Sequence, residues 1–239
     1  MITLKDLFDD LATGELSNMY VVVDDEIVTT AYKKIITVMN RALGEIYSRF
    51  NLLQKKWNIH QQVGVTDYYI RESYVSDIDM LDVDGYIEEK DDELFENDLI
   101  KLAAAYNVDD LDTPLPINDN KYPDTGLFTL APDHIQMVPT AGTVITIVYQ
   151  ARYPKIVYKA DIDPTRIKLY IPDFILPAVY AYIASKLLQG KASSATEGEK
   201  HTAATFMAKF EYACALIKQQ DLDMDVNDTK TSFTAGGWV

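Results

Sequence analysis

Three histidines, one cysteine and two acidic loops are the residues whose types could do chemistry in this chain. His60, His134 and His201 lie far apart, with no H-E-x-x-H and no close pair, so spacing alone builds no metal site from them. They read as scattered surface or partly buried side chains. Cys214 falls on the apolar face of a helical pattern and reads as a small buried hydrophobe rather than a nucleophile. Two acidic stretches imitate calcium loops. "MLDVDGYIEEKD" at 80–91 places Asp82, Asp84 and Gly85 correctly, but it begins with Met80 and ends with Asp91 instead of Glu. "DLDMDVNDTKTS" at 221–232 has the first acids, yet Val226 stands where a glycine must turn. Weak cation binding by such carboxylates stays open, because hard cations need only oxygens at flexible geometry.

"SKLLQGKA" at 185–192 brushes against a phosphate-binding loop, with Ser185 for the first glycine and Ala192 for the final Ser or Thr. It also belongs to a helix end, not to a strand-to-helix loop. No G-x-S-x-G or G-x-G-x-x-G occurs, and no acid pair stands out by spacing. The sequence therefore reads as a non-enzyme with no catalytic residues, no metal site and no cofactor. A hydrolase whose carboxylates converge only in the fold is the less favoured rival.

The elements that must position any site come next. At 239 residues, 48% hydrophobic and 25% charged, the chain fits one elaborated domain or a domain with a large insertion. Its formal charge of -15 argues against a basic nucleic-acid patch and against docking on anionic membranes. One cysteine excludes an internal disulfide framework. "MITLKDLFDD" has no basic start and no long apolar run, so it is not a secretory signal. "ILPAVYAYIA" at 175–184 is too short to span a bilayer, which takes about 20 residues. The expectation is a soluble protein of a reducing compartment, or of a particle assembled there.

Thr3 and Asp6 have capping-box spacing before Leu4, Leu7, Phe8 and Leu11, with Gly14 as a stop. A long helix is predicted over 25–53, where Ile35, Ile36, Met39, Leu43, Ile46 and Phe50 form one apolar stripe. Residues 56–71 are strand material, and 77–98, with eleven acids and one lysine, reads as a solvated loop. Residues 99–107 lean to strand, 111–126 are turn chemistry, and 127–139 and 143–154 give further strands. Pro177 to Gly190 and Ala203 to Gln219 then read as two helices. The fold class expected is α+β: a helical bundle with an inserted small antiparallel β-domain and an extended C-terminal tail. Its parts are residues 1–55 and 159–220 for the bundle, 56–158 for the β-domain and 221–239 for the arm.

The chain resembles the head-to-tail connector, or portal adaptor, proteins of tailed bacteriophages. The residues that carry this are "TTAYKKIITVMNRALGEIYSRFNLLQKKWNI" at 29–59, "YQARYP" at 149–154, "FMAKFEYACALIKQQ" at 206–220, and the ending "GWV". The resemblance runs over nearly the full length in the same order, with the acidic stretch 77–98 unmatched. It implies a ring, commonly of twelve copies, that sits beneath the portal at the capsid vertex and carries tail or nozzle proteins. Such a protein is a structural part of the virion, assembled in the host cytoplasm. Genomic DNA would pass through the channel without specific binding, which the acidic charge would favour.

The tip "TSFTAGGWV" then has a role. Phe233 and Trp238 would anchor an arm in apolar pockets of the portal, with Gly236 and Gly237 letting the backbone turn and Val239 closing the contact. Strand addition to a sheet edge would add main-chain hydrogen bonds. The alternative is another neck or tail-completion protein that binds the tail tube instead.

Overall fold

A computed structural model describes residues 1–77, 79, 81, 84–90, 94–122, 124–138, 142–189 and 197–219. The chain divides into two compact units, one built from Met1–Phe50 and the described chain from Pro154 onward, the other from Asn51–Tyr153.

The first unit begins with a two-residue strand β1 (Ile2–Thr3), paired antiparallel with the short strand Lys168–Leu169. Thr3 then caps helix α1 (Leu4–Thr13): its hydroxyl accepts from the Asp6 N–H at 3.1 Å while its own N–H donates to the Asp6 carboxylate at 2.8 Å. Leu4, Leu7, Phe8 and Leu11 point inward from this helix. Gly14 closes it, its N–H returning to the Asp10 carbonyl.

The predicted helix over 25–53 is shorter than expected. Strands β2 (Val22–Val23) and β3 (Glu26–Ile27) form a hairpin through Asp24 and Asp25, whose φ values are 52° and 60°. Two consecutive left-handed residues make the tight turn that matches strand twist, and Asp tolerates that conformation better than most residues. A 3-10 turn at Thr29–Ala31 follows, and helix α2 runs only over Tyr32–Arg49. Ile35, Ile36, Met39, Ala42, Leu43, Ile46 and Tyr47 bury its stripe. Each large side chain removed from water in this way contributes about 1.5–3 kcal/mol.

Helix α3 (Leu176–Gln189) is apolar nearly all round and lies between α2 and helix α4 (Glu197–Gln219). From α4, Ala203, Phe210, Cys214 and Ile217 are buried. Two polar ties fix these helices. The buried Ser185 hydroxyl donates to the Ala203 carbonyl at 2.9 Å. Arg49 donates to both oxygens of Glu211 at 2.7 and 3.1 Å, while its guanidinium lies 5.1 Å from the Phe210 ring centre. A third tie straps a loop: the Asn40 side chain donates to the Ile156 carbonyl and accepts from the Ile156 N–H, at 2.8 and 2.9 Å.

The second unit holds a six-stranded and a three-stranded sheet. In chain order its strands are β4 (Gln54–His60), β5 (Asp67–Tyr69), β6 (Val75–Ser76), β7 (Ile87–Glu88), β8 (Leu99–Asn107) and β9 (Asp110–Pro114). They continue with β10 (Leu127–Ala131), β11 (His134–Met137) and β12 (Val144–Ala151). The larger sheet is ordered β6-β7-β4-β12-β8-β9 and the smaller β10-β11-β5. The β-branched run of β12 takes a central place, antiparallel to β4 on one side and β8 on the other. One cross-strand row reads Trp57, Ile147, Ala105, with the small residue beside the larger ones. Phe95 meets Trp57 edge-on at 5.2 Å, and Lys90 lies 4.6 Å from the indole centre.

The expected helical bundle with a small inserted β-domain is overturned. Among the described residues the chain is α+β and sheet-rich, with four helices and thirteen strands in four sheets. The helical unit itself carries two of those sheets, and the hairpin at Asp24–Asp25 takes residues assigned to the long helix. The acidic stretch 77–98 is also more than a solvated loop: Tyr86, Ile87 and Phe95 are core residues, and β7 runs through it. Charged neighbours masked those few apolar positions. The tail 221–239 lies outside the described residues.

Candidate functional site

The arm residues singled out in the sequence, Phe233, Gly236, Gly237, Trp238 and Val239, fall outside the described residues. The described site candidate is instead a cleft on the sheet-rich unit, with a volume of about 870 Å³. Its floor is Ile70 and Leu99, both buried, and its rim carries Arg71, Ser73, Asn97 and Arg152.

The rim is assembled from four separate pieces of chain. Arg71 ends the segment after β5, where its Nε donates to Asp133 Oδ2 at 2.7 Å across the β10–β11 turn. Its guanidinium also covers one face of Tyr69, 4.9 Å from the ring centre, and the His134 ring stacks with Tyr69 at 4.4 Å and 22°. His134 in turn meets Asp67 at 3.0 Å. Two planar groups flank one tyrosine and a carboxylate closes each end, so Arg71 is held in place while its terminal nitrogens bond no other described residue. The Arg71 guanidinium holds the Asp133 carboxyl below its ordinary range. Asp67 is likewise lowered, first by the Thr66 hydroxyl and then by His134.

Beside Arg71 on the rim, Asn97 adopts φ 50° and clasps Glu72: its Oδ1 accepts the Glu72 N–H at 2.8 Å and its Nδ2 donates to Glu72 Oε2 at 3.0 Å. That clasp engages one Glu72 carboxylate oxygen and leaves its charge in place. Arg152 follows β12 and is anchored by its backbone N–H to the Asp98 carbonyl at 2.8 Å. Its guanidinium is exposed and has no partner among the described residues. The cleft therefore sets two guanidiniums, Arg71 and Arg152, beside two carboxylates, Asp133 and Glu72, above an apolar floor.

Sequence spacing had no access to this cleft. Arg71 follows β5 of the smaller sheet and Arg152 follows β12 of the larger one, 81 residues apart in sequence, so no local spacing marks them as neighbours.

The three histidines lie on separate elements. His60 lies 3.2 Å from Glu88 on the larger sheet, His134 belongs to the smaller sheet, and His201 is exposed on α4. Among the described residues no group of three His, Cys, Asp or Glu side chains is placed to hold a metal ion. Cys214 is buried, and burial pushes its thiol up to about 11, so at neutral pH it stays protonated. No helix among the described residues is long and apolar enough to cross a membrane.

No family model matches the chain, and no characterised protein is significantly similar to it.

Proposed function

We propose that the chain is a structural virion protein: an adaptor that forms a ring, joins the portal at the capsid vertex to the tail or nozzle, and continues the DNA channel. The observation that carries the reading is chain order. The segments resembling portal adaptors, 29–59, 149–154 and 206–220, stand in that order, and helix α4 runs to Gln219, directly before the Gly-rich arm with Phe233 and Trp238. The helical unit draws its elements from both ends of the chain, which leaves the middle as a separate body able to meet a second partner. The charge of -15 per copy, repeated around a ring, supports a channel that does not hold DNA phosphates.

In this reading the partners are the portal, tail or nozzle proteins and further copies of the chain, twelve in the commonest arrangement of such rings. Large aromatics dominate interface anchors, and a polar, Gly-rich terminus orders when something ties it down. The test is mass by light scattering with matching portal rings present and absent. The full chain should add to the portal in a fixed ring stoichiometry, and the full chain carrying F233A and W238A should not. Equal addition by both would remove the arm's role, and no addition by either would remove the adaptor reading.

A further inference from the structure

We propose that copies of this chain meet through two different surfaces: the tip of the β8–β9 hairpin of one copy, residues 109–112, docks on the extended segment 155–159 of the next. The closed form of such a contact rests on the ring reading above, since unlike surfaces of one chain generate a ring when the rotation closes. The docking itself is carried by the two surfaces.

The receiving segment follows β12 and contains no helix, turn or bend. Its burial alternates with the period of a strand: Lys155, Val157 and Lys159 are exposed, Ile156 and Tyr158 half-buried. Asn40 of α2 closes one side, donating to the Ile156 carbonyl and accepting the Ile156 N–H. Successive residues of an extended chain turn these groups to opposite sides. Those of Lys155 and Val157 therefore face away from Asn40, and no described residue bonds them. A strand-like backbone open on one side is a template for another chain. Val157 stands 68% exposed between the two lysines.

Charge selects the occupant. Residues 154–160 hold two lysines and no acid, and α2 behind them has no acid before Glu45. Lys33 stands seven residues before Asn40, on the same face of that helix. Neither Lys155 nor Lys159 forms an ion pair among the described residues. The net charge of -15 is unevenly spread: residues 51–153 hold 19 acids and 7 bases, whereas 1–50 and 154–220 together hold 14 of each. The sheet-rich unit of one copy is thus repelled by its like and drawn to these lysines.

The hairpin supplies the counterpart. Residues 102–120 contain four aspartates and no base. All of β9 is exposed, it is the outermost strand of the larger sheet, and Leu111 is 58% exposed. The Asp110 carboxylate accepts the N–H groups of Asp112 and Thr113 at 3.2 Å each, which holds the tip in shape and leaves its charge in place. Leu111 among aspartates meets Val157 between lysines. An apolar centre with a charged rim is the anatomy of a protein contact.

The experiment follows the mass of the full chain against concentration by sedimentation, without portal. The natural chain should gain mass with concentration, and raised salt should reverse the gain. K155E/K159E and D109K/D112K, all at exposed positions and with Asp110 untouched, should each raise the concentration required at least tenfold. An equimolar mixture of the two variants should associate again, because each reversed surface then finds its opposite on the other chain. Under mild oxidation, a mixture of V157C and L111C chains should give a cross-linked dimer that neither gives alone.

A natural chain that stays monomeric, unchanged association in either charge variant, a mixture that stays apart, or no mixed cross-link would overturn the docking. A cross-link that forms only within one chain carrying both cysteines would assign the hairpin to its own copy and overturn the second one. If K155E/K159E leaves the mass unchanged but abolishes binding of a labelled DNA duplex, the segment holds phosphate and the proposed occupant is overturned. Portal rings are absent throughout, so failure here removes this contact between copies, while failure to add to the portal removes the adaptor reading.

Discussion

The side chain of Asn118 holds Thr129 at two points, its Oδ1 accepting the Thr129 N–H at 2.8 Å and its Nδ2 donating to the Thr129 hydroxyl at 2.7 Å. Two residues away, the Leu127 N–H donates to the Pro116 carbonyl and its carbonyl accepts the Asn118 N–H, both at 2.8 Å. These are outward-facing groups of β10, the edge of the smaller sheet. An open edge is a template for pairing with another chain, and here it is closed by a side chain and a loop. Asn118 sits at φ 55°, a conformation that asparagine and glycine accept readily. Asn118→Gly therefore keeps the backbone and removes the cap. The expected result is a loss of about 1 kcal/mol in denaturant titration, with light scattering that rises with protein concentration where the natural chain stays flat.

The other edge of that sheet is closed differently. The Tyr86 hydroxyl accepts the Tyr69 N–H at 2.6 Å and donates to the Tyr69 carbonyl at 3.0 Å, standing in for a neighbouring strand beside β5. Burial raises the Tyr86 phenol well above its ordinary value, so the hydroxyl keeps its proton through any working pH. Tyr86→Phe preserves the ring contacts with Tyr68 and Tyr74 but leaves two backbone groups without this partner. It should cost about 1–3 kcal/mol. A ring-only role would leave the unfolding midpoint unchanged, and that outcome would refute the strand-substitute reading.

Asp98 is the buried charge on which the larger sheet depends. Lys55 Nζ lies 2.8 Å from one carboxylate oxygen and the Tyr149 hydroxyl donates to the other at 2.9 Å. The side chains of Lys55 and Asp98 are 12% and 8% exposed, so neither ion finds much water if its partner is removed. Lys55→Met should therefore destabilise by about 3–5 kcal/mol, the cost of stranding a buried carboxylate. Tyr149→Phe removes one hydrogen bond and should cost about 1–2 kcal/mol. If the double variant K55M/D98L recovers most of the loss, the penalty was the stranded charge and not the packing.

How far the fold was legible depended on whether a pattern was local. The capping box of Thr3 and Asp6 and the stripe from Ile35 to Ile46 lie within a few turns of one helix, and both are present as spacing implied. The hairpin at Asp24–Asp25 was not legible, because its strands are two residues long and its turn lacks the usual glycine. Tyr86, Ile87 and Phe95 were hidden for a related reason: three core residues dispersed among acids carry no period. The cleft was the least legible feature. Arg71, Asn97 and Arg152 come from the ends of strands in two different sheets, and neither residue type nor spacing marks them. Asn97 and Asn118 show how much turned on single asparagines with positive φ, which composition cannot distinguish from loop residues.

Acid should weaken the larger sheet through Glu88. Its Oε2 accepts from Asn58 Nδ2 at 2.8 Å and lies 3.2 Å from His60 Nε2, while Asn58 Oδ1 receives the Thr146 hydroxyl at 2.9 Å. This polar row crosses β12, β4 and β7. The Asn58 hydrogen bond, followed by that of His60, holds the Glu88 pKa below its ordinary value of 4.5 against an opposing effect of burial. A carboxylate with a depressed folded-state pKa contributes stability that is present above its unfolded pKa and lost as pH falls through the folded one. The window is therefore below about pH 4.5. Glu88→Gln should cost about 1–2 kcal/mol at pH 7, where the charged acceptor is lost. Its penalty relative to the natural chain should then shrink as pH drops below 4.5, because both side chains are neutral there. Denaturant titrations of the two chains from pH 7 down to pH 3 make the comparison. A gap that stays constant across that range would mean that Glu88 acts by shape and not by charge.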